Sequence, residues 1–159
     1  MLARSYLYVP ADNSRFLEKA ETSLADSIIL DLEDGVKNEK KQEARDKALA
    51  FLTQTQRNNF VLRVNPGSYE EEAELINHPK VKKIFLPKVE EVAAIELFLE
   101  ETGAQNEIVV FIESARGLIN INDIAAQKSV TSIGLGEADL FSDVVLGEPP
   151  HPQLRNYAR

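Results

Sequence analysis

The sequence predicts an α/β fold of the (β/α)8 TIM-barrel type, and three observations lead to this prediction. First, six short apolar runs alternate with longer amphipathic stretches, which is typical of parallel strands joined by helices. Second, polar side chains stand at the C-terminal ends of nearly all these runs, as they do at the mouth of a barrel. Third, the first strand–helix turn, V-P-A-D-N-S-R, lacks the glycine-rich dinucleotide fingerprint, which disfavours the other architecture that fits, an open doubly wound sheet.

The predicted strands are apolar, often β-branched runs, as expected for parallel strands covered on both faces. Pro10 ends the first run, Pro66 and Gly67 end the third, and Pro87 ends the fourth. The six runs span residues 5–9, 27–31, 60–65, 81–86, 107–112 and 130–135.

The predicted helices occupy the amphipathic stretches between the strands. Asp12 or Asn13 is the expected N-cap of the first helix, and Gly103 is the expected end of the fourth. The helices are expected over residues 13–24, 38–56, 68–77, 90–102 and 118–127, with a turn through 141–146 and a further helix over 152–159.

Composition narrows the class of protein. The chain has 159 residues, 43% of them hydrophobic, which predicts a single domain over residues 1–159 with a substantial core. A formal net charge of −8 argues against nucleic acid and anionic membranes as partners. Without cysteine there is no disulfide framework or thiolate metal site. The sequence shows neither a signal-peptide pattern nor a membrane-spanning run, and we therefore expect a cytoplasmic protein.

The predicted barrel is incomplete. A (β/α)8 barrel needs eight units and typically about 250 residues, whereas this sequence supplies about six units. The first and sixth strands would then be unpaired edges, which favour oligomerisation or aggregation.

Glu113 and Asp139 are the predicted ligands of a divalent metal ion. Glu113 directly follows the run I-V-V-F-I, and Asp139 follows the next predicted strand. Two carboxylates at adjacent strand ends, with water and substrate oxygens, meet the needs of Mg²⁺. Taken singly, Glu113 could instead cap the next helix and Asp139 could be a turn residue. Their occurrence together favours the metal site, and Gly134 and Gly136 would let the backbone approach it.

Arg63 stands inside the apolar strand F-V-L-R-V-N, where its charge needs an anionic partner. It could form a structural ion pair with Asp31 or Glu33, or a bidentate clamp on a substrate carboxylate or polarised carbonyl. The acids Asp31, Glu33 and Asp34 lie so close together that cations, metal-bound waters or helix N-termini must absorb their charge. Lys88 could be a surface lysine or a substrate-facing cation.

Seven short motifs lie in order along essentially the whole chain. They read R-S-Y-L-Y-V-P-A, I-I-L-D-L-E-D-G-V, A-R-D, V-L-R-V-N-P, F-L-P-K-V-E, F-I-E-S-A-R-G-L and G-L-G-E-A-D-L. In this order they resemble the citrate lyase β-subunit family, which includes malyl-CoA lyases and belongs with the HpaI-type aldolases. The resemblance implies a (β/α)8 barrel with Mg²⁺ as cofactor at its mouth.

The resemblance also implies roles for individual residues. The metal ligands are Glu113 and Asp139. The catalytic residues are Arg63, Glu33 and Asp34, of which the two acids lie with Asp31 near the waters of the metal. The substrate contacts are Arg63, Lys88, Arg15 and Lys19, of which Arg15 and Lys19 in the first helix would meet coenzyme A phosphates.

The implied reaction is retro-Claisen or retro-aldol cleavage of a β-hydroxyacyl thioester, of the citryl or malyl type, to an oxo acid and an acyl thioester. The expected partner is an acyl-CoA or acyl-carrier-protein thioester, in a homo-oligomer of the trimer type or with other lyase subunits. Members of the family run well beyond this length, and in several a C-terminal segment gives a catalytic aspartate to a neighbouring subunit. We therefore expect the chain alone to bind Mg²⁺ weakly and to turn over poorly.

Two alternative functions fit the same residues. One is an HpaI-like aldolase that cleaves free 4-hydroxy-2-oxo acids. The other is a non-catalytic fragment that assembles with copies of itself across its open edges.

Overall fold

The computed structural model describes residues 3–143. Its strands and helices, in chain order, are β1 (Tyr6–Pro10), α1 (Ser14–Glu21), β2 (Ser27–Asp31), α2 (Lys41–Gln54), β3 (Phe60–Arg63), α3 (Tyr69–Ile76), β4 (Val81–Leu86), α4 (Val92–Thr102), β5 (Glu107–Ile112), α5 (Ala115–Ile119), α6 (Ile121–Ala125), β6 (Val130–Leu135) and α7 (Glu137–Asp143).

The six strands form one parallel sheet in sequence order, from β1 to β6. At least one helix separates each pair of neighbouring strands, as parallel pairing requires. Sequential order is how a (β/α)8 barrel is built, whereas a doubly wound sheet reverses its order at a switch point. The predicted fold class is therefore confirmed: the described residues form six βα units of the TIM-barrel type.

The two faces of the sheet have different cores. The face toward the helices carries the main core, which includes Ile28 and Leu30 of β2 and Ile84 of β4. The opposite face holds a smaller apolar cluster of Ile29, Val61, Phe85, Val109 and Phe111. Because successive side chains of a strand point to opposite faces, this alternation decides which strand residues reach the interior of the barrel.

The sheet curves around the smaller cluster. The rings of Tyr6 and Tyr8 on β1 lie 5.9 and 6.5 Å from the ring of Phe85 on β4. In a flat sheet, three strand spacings of about 4.8 Å would separate these strands. The rings meet because the sheet curls toward this face, as in a barrel wall.

Most predicted elements are observed, with bounds that differ in ways that local contacts explain. Four strands, β2, β4, β5 and β6, have the predicted bounds. Asn13, not Asp12, caps α1, because its side chain accepts a hydrogen bond from the Phe16 N–H at 3.2 Å. The helix predicted over 38–56 begins with a 3₁₀ turn, Asn38–Lys40, before α2. Gly103 ends α4 in the left-handed conformation, as predicted.

The helical stretch predicted over 118–127 is observed as two short helices, α5 and α6. Helical structure already begins at Ala115, because the Ser114 side chain accepts a hydrogen bond from the Gly117 N–H and caps α5. It then breaks at Asn120, whose side-chain amide donates to the Glu90 carbonyl at 2.8 Å. The turn predicted through 141–146 is helical as far as Asp143, and the helix predicted over 152–159 lies outside the described residues.

Between residues 3 and 143, none of the helices has the length and apolar character that crossing a membrane requires.

Candidate metal and substrate site

The site lies at the C-terminal ends of the strands, on the interior face of the sheet. Asp31 at the end of β2 and Arg63 at the end of β3 are paired in the register of the sheet. Asp31 and Arg63 each lie two residues after an inward-facing residue of the same strand, Ile29 and Val61. Because every second side chain of a strand points to the same face, both side chains point to the interior at the mouth.

Asp31 and Arg63 form a bidentate pair. The Arg63 Nε–H donates to Asp31 Oδ1 at 2.8 Å, and an Nη2–H donates to Asp31 Oδ2 at 2.7 Å. The remaining Nη1 lies 2.9 Å from Glu33 Oε2. The structural ion pair expected as one interpretation of Arg63 is thus present. The bidentate pair with Asp31 uses one edge of the Arg63 guanidinium. The other three of its five N–H donors lie outside that pair.

Asp31 also shapes the loop that follows β2. Its carboxylate accepts hydrogen bonds from the backbone N–H groups of Glu33, at 2.9 Å, and Gly35, at 3.0 Å. With the two bonds from Arg63, all its lone-pair directions are in use. Asp31 therefore holds the loop and the arginine, and this turns Glu33 inward, where it is buried.

Lys88 joins the same cluster from the end of β4. Its ammonium donates to the carboxylates of Glu33 and Asp34, the latter at 3.2 Å. The sequence left two interpretations for Lys88, and the structure places it among the predicted site residues rather than alone on the surface. These contacts raise the pKa of Lys88, the Glu33 bond having the largest effect among them.

Glu113 is buried at the end of β5 and has an unpartnered oxygen. It does not cap the following helix, because Ser114 does. Its Oε2 is one of three buried side-chain polar atoms within residues 3–143 that have no hydrogen-bond partner. Glu33 Oε2 is another, but it forms the ion pair with Arg63 Nη1. Burial, followed by repulsion from Glu33 and Asp139, raises the pKa of Glu113 to about 7.

The close approach of β6 requires glycine beside Glu113. A Cβ atom on Gly136 would lie 2.7 Å from Glu113 Oε1, closer than non-bonded atoms tolerate. Gly136 therefore lets the backbone of β6 approach Glu113, as the sequence suggested. The Glu113 carboxylate occupies the space that a side chain at position 136 would fill.

Asp139 faces Glu113 across an open cleft of about 400 Å³. It lies in the first turn of α7, and its charge acts on Glu113. The residues that line the cleft are Lys88, Glu90, Glu113, Ser114, Asp139 and Asp143. Its wall thus combines the predicted metal carboxylates with one lysine.

The residues present fit a hard divalent cation. Within residues 3–143, no group of three or more His, Cys, Asp and Glu side chains stands close enough to hold a metal by itself. Mg²⁺ does not need such a group, because it takes one or two carboxylates and fills its octahedron with water and substrate oxygens. A buried carboxylate oxygen without a partner, repelled by neighbouring carboxylates, is what such a cation would satisfy.

Neither Arg15 nor Lys19 lines this cleft. Both are on α1, and Lys19 borders an apolar groove with Leu7, Phe16 and other residues of β1 and α1. The structure therefore does not bring these two predicted substrate contacts together with Arg63 and Lys88, and their assignment stays a prediction.

Tyr8 is a site residue that sequence reasoning missed. The guanidinium carbon of Arg63 lies 5.2 Å from the centre of the Tyr8 ring, which is cation–π distance. Burial raises the pKa of the Tyr8 hydroxyl. The alternation in S-Y-L-Y-V, which puts Tyr6 and Tyr8 opposite the core residue Val9, is the signal that could have found it.

Two charged residues behind the site, the partly buried Lys41 and the buried Glu72, were also missed. The Lys41 ammonium donates to the carbonyls of Leu32 and Glu33, each at 2.6 Å, and so supports the loop after β2. The fully buried Glu72 accepts hydrogen bonds from the backbone N–H of Asn65, at 3.0 Å, and from its side-chain amide. A lysine and a glutamate in amphipathic helices give no sequence signal that separates them from surface charges.

Comparison with known proteins identifies relatives of this chain in sequence and in fold. The family described as HpcH/HpaI aldolase/citrate lyase matches residues 4–159. The chain is 33% identical, over 89% of its length, to the (3S)-malyl-CoA thioesterase of Cereibacter sphaeroides (strain ATCC 17029 / ATH 2.4.9), of which it covers 51%. It is 30% identical, over 90% of its length, to the mitochondrial citramalyl-CoA lyase of Homo sapiens, of which it covers 46%. The chain thus spans about half the length of these curated relatives.

A solved structure shows the same architecture. The protein CitE from Mycobacterium tuberculosis, in complex with magnesium and pyruvate, superposes with a TM-score of 0.77 at 26% identity. The match covers 98% of this chain and 67% of that one. The fold and the sequence similarity agree, and the chain belongs to the HpcH/HpaI aldolase/citrate lyase family.

Proposed function

We propose that this chain carries the metal-binding and substrate-binding strand ends of an Mg²⁺-dependent carbon–carbon lyase that acts on β-hydroxyacyl thioesters of the citryl or malyl type. The observation that carries the proposal is the buried Glu113 carboxylate, whose unpartnered Oε2 lies in a cleft shared with Asp139. The names of the relatives support the substrate class, since one acts on malyl-CoA and another on citramalyl-CoA. The CitE complex with magnesium and pyruvate supports the cation and an oxo-acid product.

Glu113 and Asp139 would hold the cation. When bound, Mg²⁺ would supply Lewis-acid polarisation of the oxygens of the oxo-acid part. The reaction removes the hydroxyl proton, breaks the adjoining carbon–carbon bond to leave an oxo acid, and returns a proton to the thioester enolate.

Arg63 would orient the oxo-acid part and stabilise negative charge that develops there. Two hydrogen bonds to Asp31 fix one edge of the Arg63 guanidinium, and the Tyr8 ring packs on its face. The other N–H donors of Arg63 are therefore pre-oriented. Glu33 and Asp34, which the sequence suggested as catalytic, contact Arg63 and Lys88. Their role in this proposal is to keep those two cations in place.

The metal site is tested by titrating Mg²⁺ into the native chain and into Glu113→Gln by calorimetry. We expect weak binding to the native chain and affinity at least about tenfold lower in the variant, which loses its buried charged ligand. Glu107→Gln is the matched control, because Glu107 starts the same strand at the opposite end and pairs there with Lys83. Equal affinities of the native chain and Glu113→Gln would overturn the metal site.

The substrate class is tested with malyl-CoA and citramalyl-CoA against a free 4-hydroxy-2-oxo acid. Cleavage of the carbon–carbon bond of the thioesters, to an oxo acid and an acyl thioester, and no cleavage of the free acid supports the proposal. Cleavage of the free acid alone would instead indicate the HpaI-like aldolase activity that the sequence left as an alternative.

A second candidate function has an observation of its own. Within residues 3–143, β1 pairs only with β2, and its Tyr6, Leu7 and Tyr8 are each at least 40% exposed. An apolar strand edge of this kind supports the alternative in which the chain assembles with copies of itself.

A further inference from the structure

Lys88 has an unusual backbone. It is the only non-glycine residue within residues 3–143 whose φ is positive, at 55°. A residue with a Cβ atom adopts this left-handed region at a cost, and such conformations persist where surrounding contacts require them. Here the contacts are the carboxylates of Glu33 and Asp34, which lie more than fifty positions earlier in the chain.

The same side chain also lines the cleft of the proposed metal site. Four carboxylates act on that region: Glu33 and Asp34 from the loop after β2, Glu113 from β5 and Asp139 from α7. Arg63 is committed to Asp31 and Glu33, whereas Lys88 lies both against the loop acids and on the cleft wall with Glu113 and Asp139. Its positive charge acts on Glu113 in the direction opposite to the three neighbouring acids.

We propose that Lys88 is an internal counter-cation that limits how tightly the Glu113–Asp139 cleft binds a divalent cation. The inference rests on the metal site of the proposed function and gives Lys88 a role beyond substrate contact. The ammonium repels an incoming cation and neutralises Glu33 and Asp34, so both effects reduce the attraction of the cleft for Mg²⁺.

Other roles for Lys88 predict different results. If Lys88 only held Glu33 and Asp34 in shape, its removal would loosen the loop and lower Mg²⁺ affinity. If it only contacted substrate, its removal would leave the affinity for Mg²⁺ alone unchanged. A counter-cation is the one role whose removal raises that affinity.

The test is calorimetric titration of Mg²⁺, without substrate, into Lys88→Met in the full chain at low ionic strength. We expect the dissociation constant to fall by about three- to tenfold, a modest effect because the lysine is partly solvated. The gain should shrink when salt is raised, since screening weakens a charge effect and not a loss of structure. Lys88→Gly, which is neutral and relaxed at positive φ, should show the same gain if Lys88→Met folds poorly.

Two controls bound the interpretation. Lys88→Arg keeps the charge and should bind Mg²⁺ like the native chain. Lys82→Met removes one charge from β4, four residues of about 3.3 Å each before the strand ends at Leu86, and should also change little.

The outcomes separate this inference from the metal site itself. Suppose that Glu113→Gln loses Mg²⁺ binding while Lys88→Met and Lys88→Gly bind Mg²⁺ no more tightly than the native chain. The counter-cation role of Lys88 is then wrong and the metal site stands. If neither the native chain nor any variant binds Mg²⁺, both the metal site and the counter-cation role are wrong. A gain in affinity that Lys82→Met reproduces would also overturn the specific role of Lys88.

Discussion

Arg63 combines two roles that its position in an apolar strand suggested separately. The edge that carries Nε faces Asp31 in a bidentate pair, and the rest of the guanidinium is directed toward Glu33 and the mouth of the sheet. Such a pair contributes little by itself, because burying two charges costs desolvation energy that their attraction only repays. Its value is geometric, since it fixes the arginine that the proposed reaction uses.

Breaking the pair from one side should therefore be costly. We expect Arg63→Gln to lower the free energy of unfolding by about 3–5 kcal/mol, because it leaves the buried Asp31 charge without its partner. In a double-mutant cycle with Asp31→Asn, the two losses should not add, and the coupling should be about 2 kcal/mol or more. Urea unfolding of the four proteins measures it.

The exposed ion pair between Arg116 and Glu91 provides the matched control. Its atoms lie 3.1 Å apart and both side chains are more than half exposed, so the same cycle with Arg116→Gln and Glu91→Gln should give at most about 1 kcal/mol. Additive losses at Arg63 and Asp31 would mean that the pair is not a unit.

At this scale the sequence predicts the residues that break a local rule. Arg63 in an apolar strand and Glu113 at the end of one are conspicuous, and the structure places both at the mouth. The sequence does not single out Tyr8, Lys41 or Glu72. An aromatic residue in a strand or a charge in an amphipathic helix is ordinary until its partners are known. The sequence carries the type of residue, whereas the partner depends on tertiary contacts.

At the scale of elements, the loops after β2 and β3 are held from behind by charged side chains of α2 and α3. The loop after β3 is fixed by Glu72 of α3, which accepts both donors of Asn65. The elements themselves follow from sequence where one signal dominates: β2, β4, β5 and β6 have the predicted bounds. The break between α5 and α6 could not be predicted from the sequence, since it depends on the hydrogen bond from the Asn120 side chain to the Glu90 carbonyl, which is distant in the chain.

The buried Glu72 should make stability depend on pH. Burial raises its pKa to about 7 in the folded chain, against a model-peptide value near 4.5. Between these values Glu72 binds more protons in the folded state than in the unfolded state. Its contribution to stability is therefore highest below about pH 4.5 and is lost as pH rises toward 7. We expect Glu72→Gln to flatten this fall by about 2–3 kcal/mol, measured by urea unfolding at several pH values.

Glu74→Gln is the control, because Glu74 is exposed on the same helix and its removal tests the loss of one carboxylate from α3. Glu113 also has a raised pKa of about 7, so the native slope contains both residues and only the difference between variants isolates Glu72. An unchanged slope in Glu72→Gln would contradict the assignment.

At the scale of the molecule, the strand order that builds a barrel wall also exposes the side of β1. Polar strand ends and the missing dinucleotide fingerprint were enough to predict the barrel class over an open sheet, because barrel strands distribute their site around the mouth. The groove beside β1 was not predictable in detail, since it needs the packing of Phe16 on α1 next to Leu7 and Tyr8. That groove is apolar and largely open in the described residues.

This edge should drive self-association. Leu7 is 40% exposed on a strand with one pairing partner in the described chain, so Leu7→Lys places a charge where a second copy would dock. Sedimentation velocity should show mass rising with concentration for the native chain and a shift toward monomer in the variant. Leu97→Lys is the matched control, because Leu97 has a similar exposure of 47% on α4 and lies on no strand edge. Equal association of both variants would show that β1 is not the contact, and a monomeric native chain would rule out the self-assembling alternative.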